Sequence, residues 1–414
     1  MKNKLVLLTL LTSMTVVAPF AWAGAESVLY AFNDGTDGAY PVDSARLVRT
    51  KSGALYGTAA AGGACQKGNV FRVQPNGTES VLYSFCGSDG ANPNGSLIVD
   101  ASGTFYGTTY FGGDNDCGTV FKLSGSRLTR LHSFTCGSDG SRPTAGVIRD
   151  ARGNLYGTTF YGGNLSCNQI GCGVVYEISA SRKFFVIHTF CSISSCTDGS
   201  EPLCDLAFDP SGNILGTTAV GGSSGQGTVF KLSKPKRGKV WNETVLHNFN
   251  GSDGEVPHAG LTVVTTHVHG KNRTVIFGVA AYGGTSGYEG NVFQLTPSKS
   301  GYSFEVLYNF TGSNGDGAQP LGPLTWMKGR LFGTTSAGGD PHCGPFGCGT
   351  VFELSEKNNL WSETILHAFA GTDGNSPDGG LVGDPSGHLY GTTYLGGVVS
   401  CEAGGCGVVF KVTP

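Results

Sequence analysis

The chain predicts an all-β ring: a seven-bladed β-propeller of four-stranded antiparallel blades, closed by the N-terminal strand pairing with the last blade. Three observations predict it. A short phrase ending in Phe recurs seven times, and a Gly-Thr phrase recurs in step with it. Glycine is 68 of 414 residues, about twice ordinary usage, while charged residues are only 14%.

The first element is a leader. Lys2 and Lys4 precede an apolar run from Leu5 to Phe20, and Ala21-Trp22-Ala23 is a small-x-small cleavage site. Residues 1–23 are therefore expected to be a signal peptide, and 24–414 a single secreted or periplasmic propeller domain. Losing the two lysines takes the formal charge from −3 to −5. No basic stripe is present to neutralise a phosphate backbone, so nucleic acid is not an expected partner. No later run is long and apolar enough to span a bilayer, so no membrane insertion is expected after cleavage, and the chain is expected to be a monomer.

The outer strand of each unit ends in Phe, as "VLYAF" 28–32, "VLYSF" 81–85, "RLHSF" 130–134, "VIHTF" 186–190, "VLHNF" 245–249, "VLYNF" 306–310 and "ILHAF" 365–369, at spacings of 49 to 61 residues. The second strand opens each unit's Gly-Thr phrase, as "FYGTT" at 105 and "LYGTT" at 155 and 389, followed by Gly-Gly and a third strand such as "GTVF". Four β-rich runs per unit, at this period, are the mark of a propeller blade. The chain starts on an outer-strand phrase and ends on a third strand. Blades are thus expected at 43–85, 95–134, 145–190, 204–249, 259–310, 322–369, and 379–414 with 28–32, the N-terminus supplying the missing strand.

The repeats, with "G-x-LYGTT-x-x-GG", "GTVFKL" and "F-x-G-x-DG-x-x-P", resemble the GloVer tandem repeat, a family of exported bacterial proteins. The resemblance covers essentially the whole mature chain and implies export. It also implies variable anchoring segments in relatives; ending at Pro414, this chain is expected to lack one. It implies no settled activity.

Site residues come from the loops. The turn after each outer strand carries Asp37, Asp89, Asp139, Asp198, Asp253, Asp316 or Asp373. An Asp-Gly turn stopped by Pro explains them; calcium is the sharper alternative, because each Asp offers oxygen ligands but needs neighbours to complete six to eight. No other cofactor is expected. Thirteen cysteines in an exported chain read as disulfides. Blade topology pairs Cys65 with Cys86 and Cys117 with Cys136. The x4 spacing pairs Cys343 with Cys348 and Cys401 with Cys406. The third unit is ambiguous; the preferred solution is Cys167–Cys172 and Cys191–Cys196, leaving Cys204. The residues ahead of Gly-Gly are unevenly aromatic, with Tyr110, Phe111, Phe160, Tyr161, Tyr282 and Tyr394 as a sugar-stacking set on the disulfide-rich face. His267 and His269, in a lengthened hairpin, read as a surface loop.

No acid/base pair stands out from the repeats, so no catalytic residue is assigned. The expected function is a secreted, non-catalytic binder of a glycan or other extracellular partner. The alternative is an exported polysaccharide lyase or glycoside hydrolase on a propeller scaffold; a second alternative is a structural surface or adhesion module. A central pocket holding unpaired carboxylates or histidines from different blades would favour the enzyme.

Overall fold

The computed structural model describes residues 24–41, 45–235, 240–268, 271–285, 287–299, 301–397, 401 and 404–414. The expected signal segment and His269 lie outside them. Seven four-stranded antiparallel blades form the ring. The second blade, typical of the set, runs Ile98–Val99, Phe105–Thr109, Thr119–Ser124 and Arg127–Ser133 in spatial order. The last blade takes its outer strand, Ala25–Ala31, from the N-terminus, in register from Ala25 opposite Thr413 to Ala31 opposite Val408. Among the described residues no helix is long and apolar enough to cross a membrane.

The repeated letters are packing instructions. The second-strand glycine makes room for the third-strand aromatic: a Cβ at Gly107 would meet the Phe121 ring at 2.7 Å. The glycine opening the third strand lets the next blade's proline close on it, since a Cβ at Gly118, whose φ is +95°, would sit 2.5 Å from Pro143. Val120, Phe121 and Leu123 of the third strand are fully buried, as is Phe134 at the end of the outer strand, so the core is a sequence of inter-blade layers. Paired threonines satisfy themselves in that layer, with Thr109 Oγ1 2.8 Å from Thr119 Oγ1.

The segment ahead of each short first strand turns inward and meets its counterparts. A Cβ on Gly95 would collide with the Gly146 nitrogen at 2.3 Å, and one on Gly146 with the Ser96 carbonyl at 2.2 Å. Arg46 forms a bridge with Gly380, joining the first and last blades. This is the axis, and backbone contact keeps it narrow.

Candidate functional site

At the axis, seven equivalent positions are filled by Arg46, Ser96, Gly146, Asp205, Gly260, Pro323 and Gly380. Only three carry polar side chains, and the ring brings those three together. The Arg46 N–H donates to Ser96 Oγ at 2.9 Å, the Ser96 hydroxyl hydrogen-bonds Asp205, and the Gly146 N–H donates to Asp205 Oδ1 at 2.7 Å. The Arg46 guanidinium crosses the axis to Thr262 Oγ1, 3.1 Å away, and to the Leu324 carbonyl. Its Nε is buried without a partner.

Burial raises the Asp205 carboxyl, against the opposing effects of the Ser96 hydroxyl, the Gly146 N–H and the Arg46 charge. Burial lowers the Arg46 guanidinium, with Asp205 pulling it back up. Both residues keep some contact with solvent along the axis although protein surrounds them. Beside Arg46, Gly95 and Thr58 line a void of about 10 Å³, room for roughly one water. The axis therefore holds a hydroxyl, a carboxylate and a guanidinium. Sequence reasoning missed this trio. The available signal was three unequal side chains in a slot otherwise kept to Gly or Pro.

Above the axis, on the disulfide-bearing face, runs a second ring. The residue before each loop proline has positive φ in all seven blades: Tyr40, Asn92, Arg142, Glu201, Val256, Gln319 and Ser376, between +51° and +59°. Two backbone bonds fix it, as where the Arg142 N–H donates to Cys117 and the Arg142 carbonyl accepts from Phe160. Holding non-glycine side chains in this region costs about 1 kcal/mol or more each, a strain that clusters at functional sites.

The aromatic residues singled out from sequence surround this ring. Tyr110 and Phe111 pack at 4.6 Å, with the Arg142 guanidinium 4.0 Å over Phe111. Phe160 and Tyr161 pack at 4.2 Å, and Tyr394 lies 5.2 Å from Tyr40. Tyr282 pairs through its backbone with Glu255. All six are half-buried and spread round the face. Burial raises the Tyr161 phenol, helped by Glu201 and then Tyr110.

Each loop Asp caps its own turn and faces the Tyr or His of the outer strand. The Tyr30 hydroxyl donates to Asp37 at 2.8 Å and the Tyr83 hydroxyl to Asp89 at 2.5 Å. His132, His247 and His367 place Nε2 at 3.0, 3.0 and 2.9 Å from Asp139, Asp253 and Asp373. His188 stands 3.8 Å from Asp198, and Tyr308 bonds Asp316. These contacts account for Tyr or His at that strand position. The sulfurs lie in six bonded pairs: Cys65–Cys86, Cys117–Cys136, Cys167–Cys172, Cys191–Cys196, Cys343–Cys348 and Cys401–Cys406. Cys204 is free and buried.

A larger cleft, about 320 Å³, lies between the third and fourth blades and is lined by Asp150, Tyr156, Glu177 and Trp241 among others. Its Asp150 is the repeated hairpin Asp, accepting the Arg152 and Asn154 N–H groups at 2.9 Å and so occupied as a turn cap.

No curated protein matches this chain in sequence. Among solved structures, a candidate 6-phosphogluconolactonase from Bacteroides uniformis has a TM-score of 0.50 at 13% identity, covering 82% of this chain and 88% of that one. A second candidate 6-phosphogluconolactonase, from Bacteroides fragilis, has a TM-score of 0.50 at 15% identity, covering 82% and 86%. At such identities the likeness shows a shared fold. These neighbours are named as enzymes, and that finding corrects the expectation of a non-catalytic glycan binder, and with it the leaning against an enzyme. The repeat-family profile matches residues 16–195 and 264–414, most of the chain, which therefore belongs to the Gloeobacter/Verrucomicrobia repeat family.

Proposed function

We propose that the chain is an exported hydrolase whose reactive centre is the axial trio Ser96, Asp205 and Arg46. One observation carries this: in a slot repeated seven times, the three polar side chains are the three that hydrogen-bond or pair across the axis. Ser96 and Asp205 stand as a hydroxyl and a carboxylate in hydrogen-bond contact, the arrangement of an activated nucleophile and its base. Burial raises the Asp205 carboxyl, and the Ser96 hydroxyl and the Gly146 N–H oppose that rise. The Arg46 guanidinium supplies positive charge where an oxyanion would develop. The six disulfides support export, since such pairs persist in oxidising compartments.

The narrow axis favours a small reacting group presented from the disulfide-bearing face. A single ester or lactone carbonyl fits that condition; the middle of a polysaccharide does not. The names of the similar structures, candidate 6-phosphogluconolactonases, support a sugar lactone as the substrate class.

The test is turnover of sugar lactones, followed by proton release at constant pH. The full chain is expected to hydrolyse at least one, with Ser96→Ala and Asp205→Asn each lowering kcat/KM about 100-fold or more at unchanged Tm. Absence of turnover on lactones, sugar esters and glycosides, or full activity in both variants, overturns the proposal.

A further inference from the structure

The seams between blades carry another set of unequal residues. Four positions before the Tyr or His of the outer strand stand Glu26, Glu79, Leu128, Phe184, Glu243, Phe304 and Glu363. Each reaches the outer strand of the preceding blade. Phe184 stacks on His132 at 3.8 Å and Phe304 on His247 at 3.7 Å, making those seams apolar. At four seams a glutamate enters instead, beside a loop Asp that already faces the ring.

Two of these seams have histidine between the carboxylates. In one, donor atoms of Glu26, His367 and Asp373 all lie within 4.8 Å of one another. In its counterpart, His188 Nε2 stands 3.8 Å from Asp198, whose side chain is 0% exposed. There Asp198 Oδ1, His188 Nε2 and Glu243 Oε1 are all buried without a hydrogen-bond partner, as is Glu26 Oε1 in the first. Glu243 feels the Asp198 charge, and these unsatisfied buried polar atoms leave a ligand as the missing partner.

We propose that these two seams are divalent-cation sites of zinc type, Glu26–His367–Asp373 clipping the sixth blade to the seventh and Glu243–His188–Asp198 clipping the third to the fourth. One imidazole and two carboxylates suit a borderline cation, with water completing the shell; calcium prefers six to eight oxygens. The remaining glutamate seams, Glu79 and Glu363, have Tyr30 and Tyr308 in the histidine's place, and a neutral phenol is no substitute for imidazole.

Untagged full chain, stripped with chelator, is equilibrated with zinc by dialysis and the bound metal counted by mass spectrometry. Two zinc ions per chain are expected at 10 μM free metal, with Tm raised by several degrees. Glu26→Gln and Glu243→Gln, neutral near-isosteres, each remove one ion; the double variant binds none, and Glu363→Gln keeps both. Binding of less than half an ion by the parent chain, zinc retention by the double variant, or binding of calcium in preference to zinc each overturns the proposal.

Discussion

Cys204 occupies a slot that elsewhere holds Ala45, Gly95, Ala145, Ala259, Gly322 and Gly379, one step before the axial position. It is 2% exposed, its sulfur lies 2.9 Å from Thr217 Oγ1, and burial pushes its thiol up to about 11. Thiolate is the reactive form, so this sulfur is inert at neutral pH. Ellman's reagent should find no thiol in the native chain and one per chain after unfolding in guanidinium without reductant. Three thiols would mean that one proposed disulfide is absent, and rapid labelling of the native chain would mean that Cys204 is accessible. The leftover cysteine was legible in the sequence, because the other twelve follow either the cross-strand or the within-loop pattern. Its burial was not, since nothing local tells a small-residue slot at the axis from one at the surface.

Strand by strand, the seams set how stability responds to pH. The Glu363 carboxyl is raised to about 8, first by burial and then by the Asp316 charge, while the Tyr308 hydroxyl donates to it at 3.1 Å. A carboxyl raised in the folded chain keeps its proton to about pH 8, where the unfolded chain has already lost it near its ordinary value of 4.5. Its stabilising effect is therefore full below the unfolded value and lost as pH rises through the folded one. Glu363→Gln preserves the neutral form at every pH. Its Tm should match the parent at pH 5 and exceed it by several degrees at pH 9; an equal difference at both values would refute the assignment. The strands themselves were legible because the same letters recur in every unit. The axial trio was not: Arg46, Ser96 and Asp205 meet only when the ring closes, and in the linear chain each is a lone departure in a different unit. The seam glutamates were hidden in the same way, since their partners belong to the preceding blade.

The most extensive non-local pairing that closes the ring lies within the last blade. Strand Ala25–Ala31 bonds along Val408–Thr413, and the Gly24 N–H donates to the Leu366 carbonyl of the neighbouring blade. Without it the last blade would expose a sheet edge and the inter-blade layer around Val408, Phe410 and Val412, all fully buried, would open. Joining residues so distant in sequence carries a large loop-closure entropy. Gly24 lies beside the C-terminal strand, because a Cβ on it would sit 3.1 Å from the Thr413 carbonyl. A short linker from Pro414 to Gly24 can therefore join them, with new termini opened in the exposed hairpin turn at Gly125 and Ser126. This permutant should keep the parent's near-ultraviolet circular dichroism and a single unfolding transition, since every blade retains four strands. A chain beginning at Asn33, which lacks the closing strand, should instead aggregate or unfold at least 10 °C lower, on the order of several kcal/mol for a ring of this size. Equal stability of the truncated and full chains would show that the N-terminal strand does not close the ring.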